Sequence, residues 1–592
     1  MKHCPSGAVR RGAAQSRRSR LTLALATLAV TPCVSAIELD TGNPDWKLRW
    51  DNTVKYSLTG RINTALPELS SVLPVTANQN DGNNNFKRGV VSNRVDLLSE
   101  FDYSRGNWGM RLSHAAWYDS KYLGRNDNPG TMGVSNQPGQ PANEFIPATR
   151  SRHGRGGEVL DAFVYAKGSV GELPGSIRIG KHALQYGESL FFGQNGIANA
   201  QGPVDVAKIV SVPNWQFKEV LLPVEQVSGS LQVAEGVTLG GYYQLKWRPS
   251  KIPGVGSYFS NQDYIGGGQV FFGPPLPPVL VTDNSKDQLP GNSGQFGAQL
   301  RWSPAGSDYE FGFYAARYHD KTPAVPVFDL VNGNVHQVYA EGIKTVGASV
   351  TSSIGQLNWA LEGSVRTDAP LANDPAVLGG APFMPPLNCS GSASNPCYAI
   401  GKTAHLNLSG IYVLNKSSLW DGGALVAELA WNRVMSVDKN PSAVGFGGLD
   451  PNTTRSAMAF RMIFEPQYFQ VLPGLDLSIP IGLGYNFGGR SSAIFNFAGG
   501  ASNAGDVSVG VKAKYQNAWN VGLNYTAFFG KENTFTVADP RTPTRMRSCA
   551  SLTAARSSPL RCASGWARAE PWARLISGSA AAISETPSRP GR

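Results

Sequence analysis

Trp46 to Leu58 reads WKLRWDNTVKYSL. Trp46, Leu48, Trp50, Val54, Tyr56 and Leu58 share one parity, and Lys47, Arg49, Asp51, Thr53, Lys55 and Ser57 share the other. Successive side chains on a β-strand point to opposite faces, so this stretch is a strand with one apolar and one polar face. The alternation returns at Val95, Leu97, Phe101 and Tyr103 against Arg94, Asp96, Glu100 and Asp102. It returns again around Val237–Arg248 and Val507–Tyr515. A soluble sandwich also alternates, so period two alone leaves two classes open.

Connection lengths separate them. Very short turns, near 104–107, 234–236, 304–307, 352–355, 472–474 and 516–518, alternate with long irregular loops, near 59–92, 119–156, 185–223, 249–294, 319–341 and 367–401. Short turns on one side and long loops on the other is the layout of an outer-membrane barrel. Trp108 and Trp519 directly follow short turns and Trp302 precedes one. Trp settles at membrane–water interfaces because its apolar ring carries a polar handle. The reading is therefore all-β: a transmembrane antiparallel β-barrel of about 16–18 strands.

Composition agrees. Charged residues are only 16% of the 592, against 67 Gly and 41% hydrophobic residues. Beyond the N-terminus no run is long and apolar enough for a spanning helix. The net charge of +11 comes from the two ends: residues 1–36 hold six basic residues and no acid, and 541–592 hold nine Arg against Glu570 and Glu585. The stretch between them has 38 basic and 40 acidic residues, which removes the case for nucleic acid as a partner. Residues 1–36 read as a signal peptide, with an Arg-rich start, the apolar run Leu21–Val30 and small residues at Val34, Ser35 and Ala36. Export permits disulfides, and Cys389 and Cys397 bracket the loop CSGSASNPC, which predicts a local bridge. No Cys or His spacing suits a metal, and no cofactor is expected. The Asn/Asp-rich stretches 79–85 and 125–130 read as turn chemistry rather than calcium ligands, and the Pro-Gly pairs at 174–175 and 473–474 as turns.

Seventeen strands are predicted between Trp46 and Gly530. Single-chain bacterial barrels have even numbers, so a closing strand is expected after about 540. Residues 541–592 contain no Asp, Asn, Gln, Val, Phe, Tyr, Lys or His and no alternation. The prediction is a barrel over 37–540 whose final strand is lost, followed by a disordered tail over 541–592 that is out-of-frame translation beginning near Asp539–Arg545.

The polar faces place Arg49, Asp51, Arg94, Asp96, Glu100, Lys246, Lys512 and Lys514 in the lumen, with Glu362, Arg366, Glu428 and Arg461 among other inward groups. A barrel of this size is wide enough for water, and mixed signs argue against a strongly ion-selective ring. The connection 185–223 carries more apolar surface than one loop leaves in water. It is expected to fold into the barrel as a constriction formed by Glu188, Phe191, Phe192, Asp205, Lys208, Trp215, Lys218 and Glu219.

The blocks WKLRWDNTVKYSL, RVDLLSEFDY, LDAFVY, IRIGKHALQYGESLFF, KEVLLPVEQVSG and GYYQLKW occur in this order. As a series they resemble an outer-membrane family of unknown function, domain of unknown function 1302. Tyr186-Gly187-Glu188 stands where family members usually show Trp-Gly-Glu, and the terminal aromatic strand of the family is missing. The resemblance implies an outer-membrane barrel with periplasmic companions and inner-membrane exporters of the resistance-nodulation-division type. It names no substrate.

The expected function is an outer-membrane channel passing small solutes through a polar lumen. Its expected partners are outer-membrane lipid and the barrel-assembly machinery. The apolar content of 185–223 supports a second class, a carrier for hydrophobic compounds of fatty-acid or lipid type. An enzyme is not expected: no Gly-x-Ser-x-Gly or His-Glu-x-x-His is present, and His182 and His405 read as structural strand residues.

Overall fold

The computed structural model describes residues 37–530, apart from 40–41, 44, 65–77, 131–134, 261, 273–278, 284–286, 331, 379–395 and 442–447. The signal segment, the tail 541–592, the frame shift and Cys389 therefore lie outside the described residues. Cys397 is buried and held in a disulfide.

The main sheet has 19 strands. They are β1 (Ile37–Leu39), β2 (Trp46–Arg61), β3 (Gly89–Arg105), β4 (Trp108–Asp119), β5 (Arg155–Val170), β6 (Leu173–His182), β7 (Val224–Ala234) and β8 (Val237–Gln244). There follow β9 (Gln295–Trp302), β10 (Glu310–Tyr318), β11 (Ile343–Ile354), β12 (Leu357–Pro370), β13 (Ile400–Val413) and β14 (Gly422–Lys439). The last are β15 (Ser456–Leu472), β16 (Leu475–Ser478), β17 (Ile481–Gly488), β18 (Ala504–Tyr515) and β19 (Trp519–Phe529). From β2 onward each pairs antiparallel with its neighbours in sequence, and β16 and β17 are two pieces of one strand between β15 and β18. Counted so, and without the three-residue β1, seventeen strands traverse the sheet, as the alternation predicts. Two local expectations change. Pro174 and Gly175 sit inside β6, opposite Ser169 and Gly168, because Gly171-Glu172 already makes the turn. Strand β8 stops at Gln244, so Lys246 lies beyond it rather than on a strand face.

The sheet is inverted relative to a soluble protein. Polar side chains are buried on one face: Gln226, Gln244, Gln295, Thr403 and Asn432 are fully enclosed. Apolar ones stand outward, among them Leu58 at 58%, Val346 at 60% and Leu523 at 80% exposure. An exposed apolar band of that extent is stable only against lipid, so the sheet is a transmembrane barrel wall. No helix among the described residues is long and apolar enough to cross a membrane.

The end strands differ in their free edges. Strand β19 pairs only with β18, and β2 carries on its outer edge only β1, with Ile37 opposite Trp50 and Leu39 opposite Leu48. Among the described residues no bond joins β19 to β2.

The long connections build a second, five-stranded sheet from Gln269–Phe272, Val279–Thr282, Val325–Asp329, Asn334–Val338 and Ala376–Leu378. Val325, Val327, Val338 and Ala376 share a buried cluster with Tyr318 and Ile343 at the ends of β10 and β11. This side of the wall is therefore capped by packed structure. The alternation did not predict these strands.

Asp374 lies in the same region, buried beside Asp450, which pairs with Arg490 at 2.9 Å. Burial, reinforced by the Asp450 charge and opposed by Arg490, pushes the Asp374 carboxyl up to about 7. The folded loop thus keeps a proton that the unfolded chain releases near 4, and its stability falls as pH rises from about 4 to about 7. Protection of the Asp374 and Asp450 amides, bonded to Gly448 and Ala372, is expected to weaken between pH 5 and pH 8 by an amount on the order of 1–4 kcal/mol. Asp374→Asn should remove that dependence. Hydrogen exchange corrected for intrinsic rates checks it, and equal wild-type protection at both pH values would refute it.

Candidate functional site

The connection from β6 to β7 runs along the polar face of the wall. It contains a turn of 3-10 helix, Ile197–Ala200, and two short helices, α1 (Val206–Ser211) and α2 (Phe217–Val220). Asp205 caps α1, accepting from the Lys208 amide at 2.8 Å. Short helices suit a segment whose position is set by its surroundings, since isolated ones this short are unstable in water.

Two wall carboxylates hold its first half. Glu362 of β12 accepts the amides of Glu188 at 2.5 Å and Ile197 at 2.7 Å. A Cβ at Gly196 would stand 2.7 Å from Glu362 Oε1, so that close approach requires glycine. Glu428 of β14 accepts the amides of Leu190 at 3.2 Å, Phe192 at 2.9 Å and Phe191, while its other oxygen accepts Asn407 at 2.6 Å. Arg366 of β12 completes the clamp, donating to the carbonyls of Gln194, Asn195 and Gly196 at 2.7–3.0 Å. A buried charge is costly unless it meets opposite dipoles, and here the bared backbone of the segment supplies them. Asn195 ties to Asn407, His405 and Asn432 at 2.7–3.1 Å. His405 thus has a structural role, and His182 likewise binds Ser228 at 2.7 Å.

The predicted constriction residues take different places. Glu188 meets Arg301 of β9 at 3.0 Å and the Tyr314 hydroxyl at 3.4 Å. Phe191 and Phe192 are buried against Val426, Ala430, Ala457, Ala459 and Phe497, so their rings anchor the segment to the wall. Trp215 is buried with Ile209, Val210 and Val220. Glu219 pairs with Lys55 of β2 at 3.0 Å, and Lys218 pairs with Glu100 of β3. Glu100 also binds Arg111, which reaches Asp102 at 3.0 Å and Asp161 at 3.5 Å. Asp205 lies 3.6 Å from Lys251, and Lys208 is buried. At Gly522 of β19 a side chain would touch the Asn214 amide group. The segment therefore contacts β2, β3, β9, β10, β12, β13, β14 and β19.

The predicted lumen residues divide the same way. Arg94 and Asp96 are buried and paired at 2.7 Å, and Lys512 pairs with Glu465 at 3.0 Å. Arg49 pairs with Asp51 at 2.6 Å but is exposed near the start of β2. Lys246 pairs loosely with exposed Glu225 at 3.6 Å. Lys514 is exposed, in register with Asp476 and Asn520. The clamp residues Glu362, Glu428 and Arg366 have the same polar-face signature as their neighbours, and nothing local in the sequence marks them as backbone anchors.

A model of the family described as protein of unknown function (DUF1302) matches residues 17–557. No curated protein matches the chain. Among solved structures, the outer membrane channel DcaP of Acinetobacter baumannii is 8% identical, with 84% of this chain and 100% of that one covered at a TM-score of 0.32. OpdK of Pseudomonas aeruginosa, solved with vanillate, is 11% identical over 82% of this chain and 93% of that one, at 0.35. An anion-selective porin from Comamonas acidovorans is 10% identical over 74% and 92%, at 0.30.

Proposed function

This chain belongs to the DUF1302 family of proteins of unknown function, and from that premise we propose that it is an outer-membrane channel for small polar solutes, narrowed by the segment 185–223. The observation that carries this is the clamp: a polar inner wall holds that segment from many strands at once. A solute crossing the barrel meets charged groups of both signs on the segment and the wall. Export through residues 1–36 and contact of the outward apolar band with outer-membrane lipid belong to the same reading.

The carrier reading rested on the apolar content of the segment. Those side chains are taken up by packing: Phe191 and Phe192 on the wall, and Ile209, Val210, Trp215 and Val220 among themselves. That use favours the channel.

Single-channel recording of the mature chain in planar bilayers tests the proposal. Discrete conductance steps are expected. A folded, inserted protein that gives none would transfer the case to the carrier, which growth on a hydrophobic compound would then probe.

A further inference from the structure

The outward face of the wall is not apolar along its whole height. Where β10 to β15 approach the long connections, it turns cationic. Arg317 of β10 lies in register with Lys344 of β11, and Lys402 of β13 and Arg433 of β14 follow farther along. Each keeps the outward parity of an apolar residue one step nearer the middle of its strand: Ala315, Val346, Leu406 and Trp431. Arg433 lies opposite Ala404, which makes Lys402 its diagonal neighbour across the strand pair. Arg455, one residue ahead of β15, extends the row, and its guanidinium donates to the Met435 carbonyl at 3.0 Å.

The first two cations of the row are engaged. Lys344 pairs with Asp368 at 3.1 Å, and Arg317 donates to the Gly294 carbonyl at 2.5 Å. The other three are exposed, and among the described residues no carboxylate lies at ion-pair distance from Lys402, Arg433 or Arg455. Asp438, exposed near the end of β14, pairs with none of them. The opposite ends of these strands differ. Near the short turns the outward positions are Phe311, Trp359, Tyr412 and Phe464, and Lys416 in the turn after β13 is matched by Asp421 at 3.0 Å. The unmatched positive charge of this part of the wall therefore sits at the long-loop rim. Trp431 sets its depth. Its indole donates to Ser456 Oγ at 2.7 Å, and Trp favours the membrane–water interface. Arg433 stands two residues farther out, roughly 7 Å along the strand, at the level of lipid headgroups.

A lipid with its tails along the outward Leu406, Leu408 and Leu429 brings its headgroup to this row. Basic side chains at a membrane surface are attracted to anionic headgroups, and a guanidinium matches a phosphate through parallel N–H···O bonds. We propose that Lys402, Arg433 and Arg455 bind the phosphate of an anionic membrane lipid in the leaflet on the long-loop side. Charge complementarity and the confinement of the unmatched cations to one rim carry the inference. It rests on the outward face meeting lipid and is independent of whether the lumen conducts.

The test is native mass spectrometry of the full chain in detergent, titrated with phosphatidylglycerol or with phosphatidylcholine of the same tails. Wild type is expected to retain phosphatidylglycerol about ten-fold more tightly. The triple variant Lys402→Gln, Arg433→Gln, Arg455→Gln should lose that preference. All three side chains are exposed, so the wall keeps its fold, which heat-dependent gel mobility checks. A matched triple variant at exposed lysines near the short turns, Lys47→Gln, Lys167→Gln, Lys514→Gln, should keep the preference. Equal retention of the two lipids by wild type would overturn the proposal, as would an unchanged preference in the rim variant or an equal loss in both variants. Inorganic phosphate in ten-fold excess over lipid should not displace phosphatidylglycerol. Displacement would assign the row to a free anion and sink the lipid site. Conductance steps without a lipid preference would do the same and leave the channel standing, and a lipid preference without steps would do the reverse.

Discussion

Replacing residues 190–215 with a short Gly-Ser linker is expected to raise single-channel conductance several-fold. The replaced stretch includes the Glu428 clamp, the 3-10 turn and α1. It also includes the anchors Phe191, Phe192 and Trp215. What remains is a wall of seventeen traversing strands whose inward groups are polar, and a barrel of that size is wide enough for an aqueous channel once unfilled. The wall keeps its own ladder and its own pairs, such as Arg461–Asp506 at 3.0 Å, so it does not need the segment to hold its strands together. Recording in planar bilayers reads the effect, and heat-dependent gel mobility shows whether the variant is folded. A folded variant with wild-type conductance would mean that the segment does not narrow the path.

Glu428→Ala is the second large effect. One carboxylate oxygen accepts three consecutive amides, those of Leu190, Phe191 and Phe192, and the other accepts Asn407. Hydrogen bonds to a charged group contribute more than neutral ones, and each orphaned buried donor costs roughly 1–3 kcal/mol. Losing the whole set should weaken the hold on this stretch by about 3 kcal/mol or more. The Glu362 and Arg366 contacts remain, so the expected result is local release rather than unfolding. Chymotrypsin should cut at Phe191 or Phe192 in the variant and not in wild type, and channel records should show added flicker between levels. Glu428→Gln should fall between the two. It keeps one acceptor oxygen for the three amides, but its new NH2 group faces the Asn407 amide, which already donates there. Protection of Phe191 in Glu428→Ala equal to that of wild type would show that the phenylalanine packing alone suffices.

The wall was legible because a strand in lipid must repeat the same instruction for its whole length. The alternation of Trp46–Leu58 lies within a sixteen-residue strand, and the short turns are punctuated by residues such as Pro473-Gly474. The inner segment was legible only as surplus apolar content. Its helices are four to six residues long, too short for a period to show. Its fixed points are wall residues well over a hundred positions away, as with Glu188 and Glu362. The second sheet was invisible for a related reason. Val325–Asp329 and Asn334–Val338 are five residues each, and their neighbours Ala376–Leu378 and Val279–Thr282 come from other connections. Polar-face parity placed Glu362 and Glu428 on the lumen side. It could not distinguish a carboxylate that receives backbone amides from one that faces water, because that depends on what lies opposite.

Strand β1 is three residues long, yet its position has topological weight. It lies antiparallel on the outer edge of β2, holding the backbone of Leu48–Trp50. A strand descending between β19 and β2 would run in the same direction as β1 and end on those same residues. The N-terminal arm is thus a built-in competitor for the last rungs of the seam. Any segment that zips the seam shut adds to an open edge above Trp50 and, to go further, must peel the arm away, so the last rungs of closure are an exchange of partners.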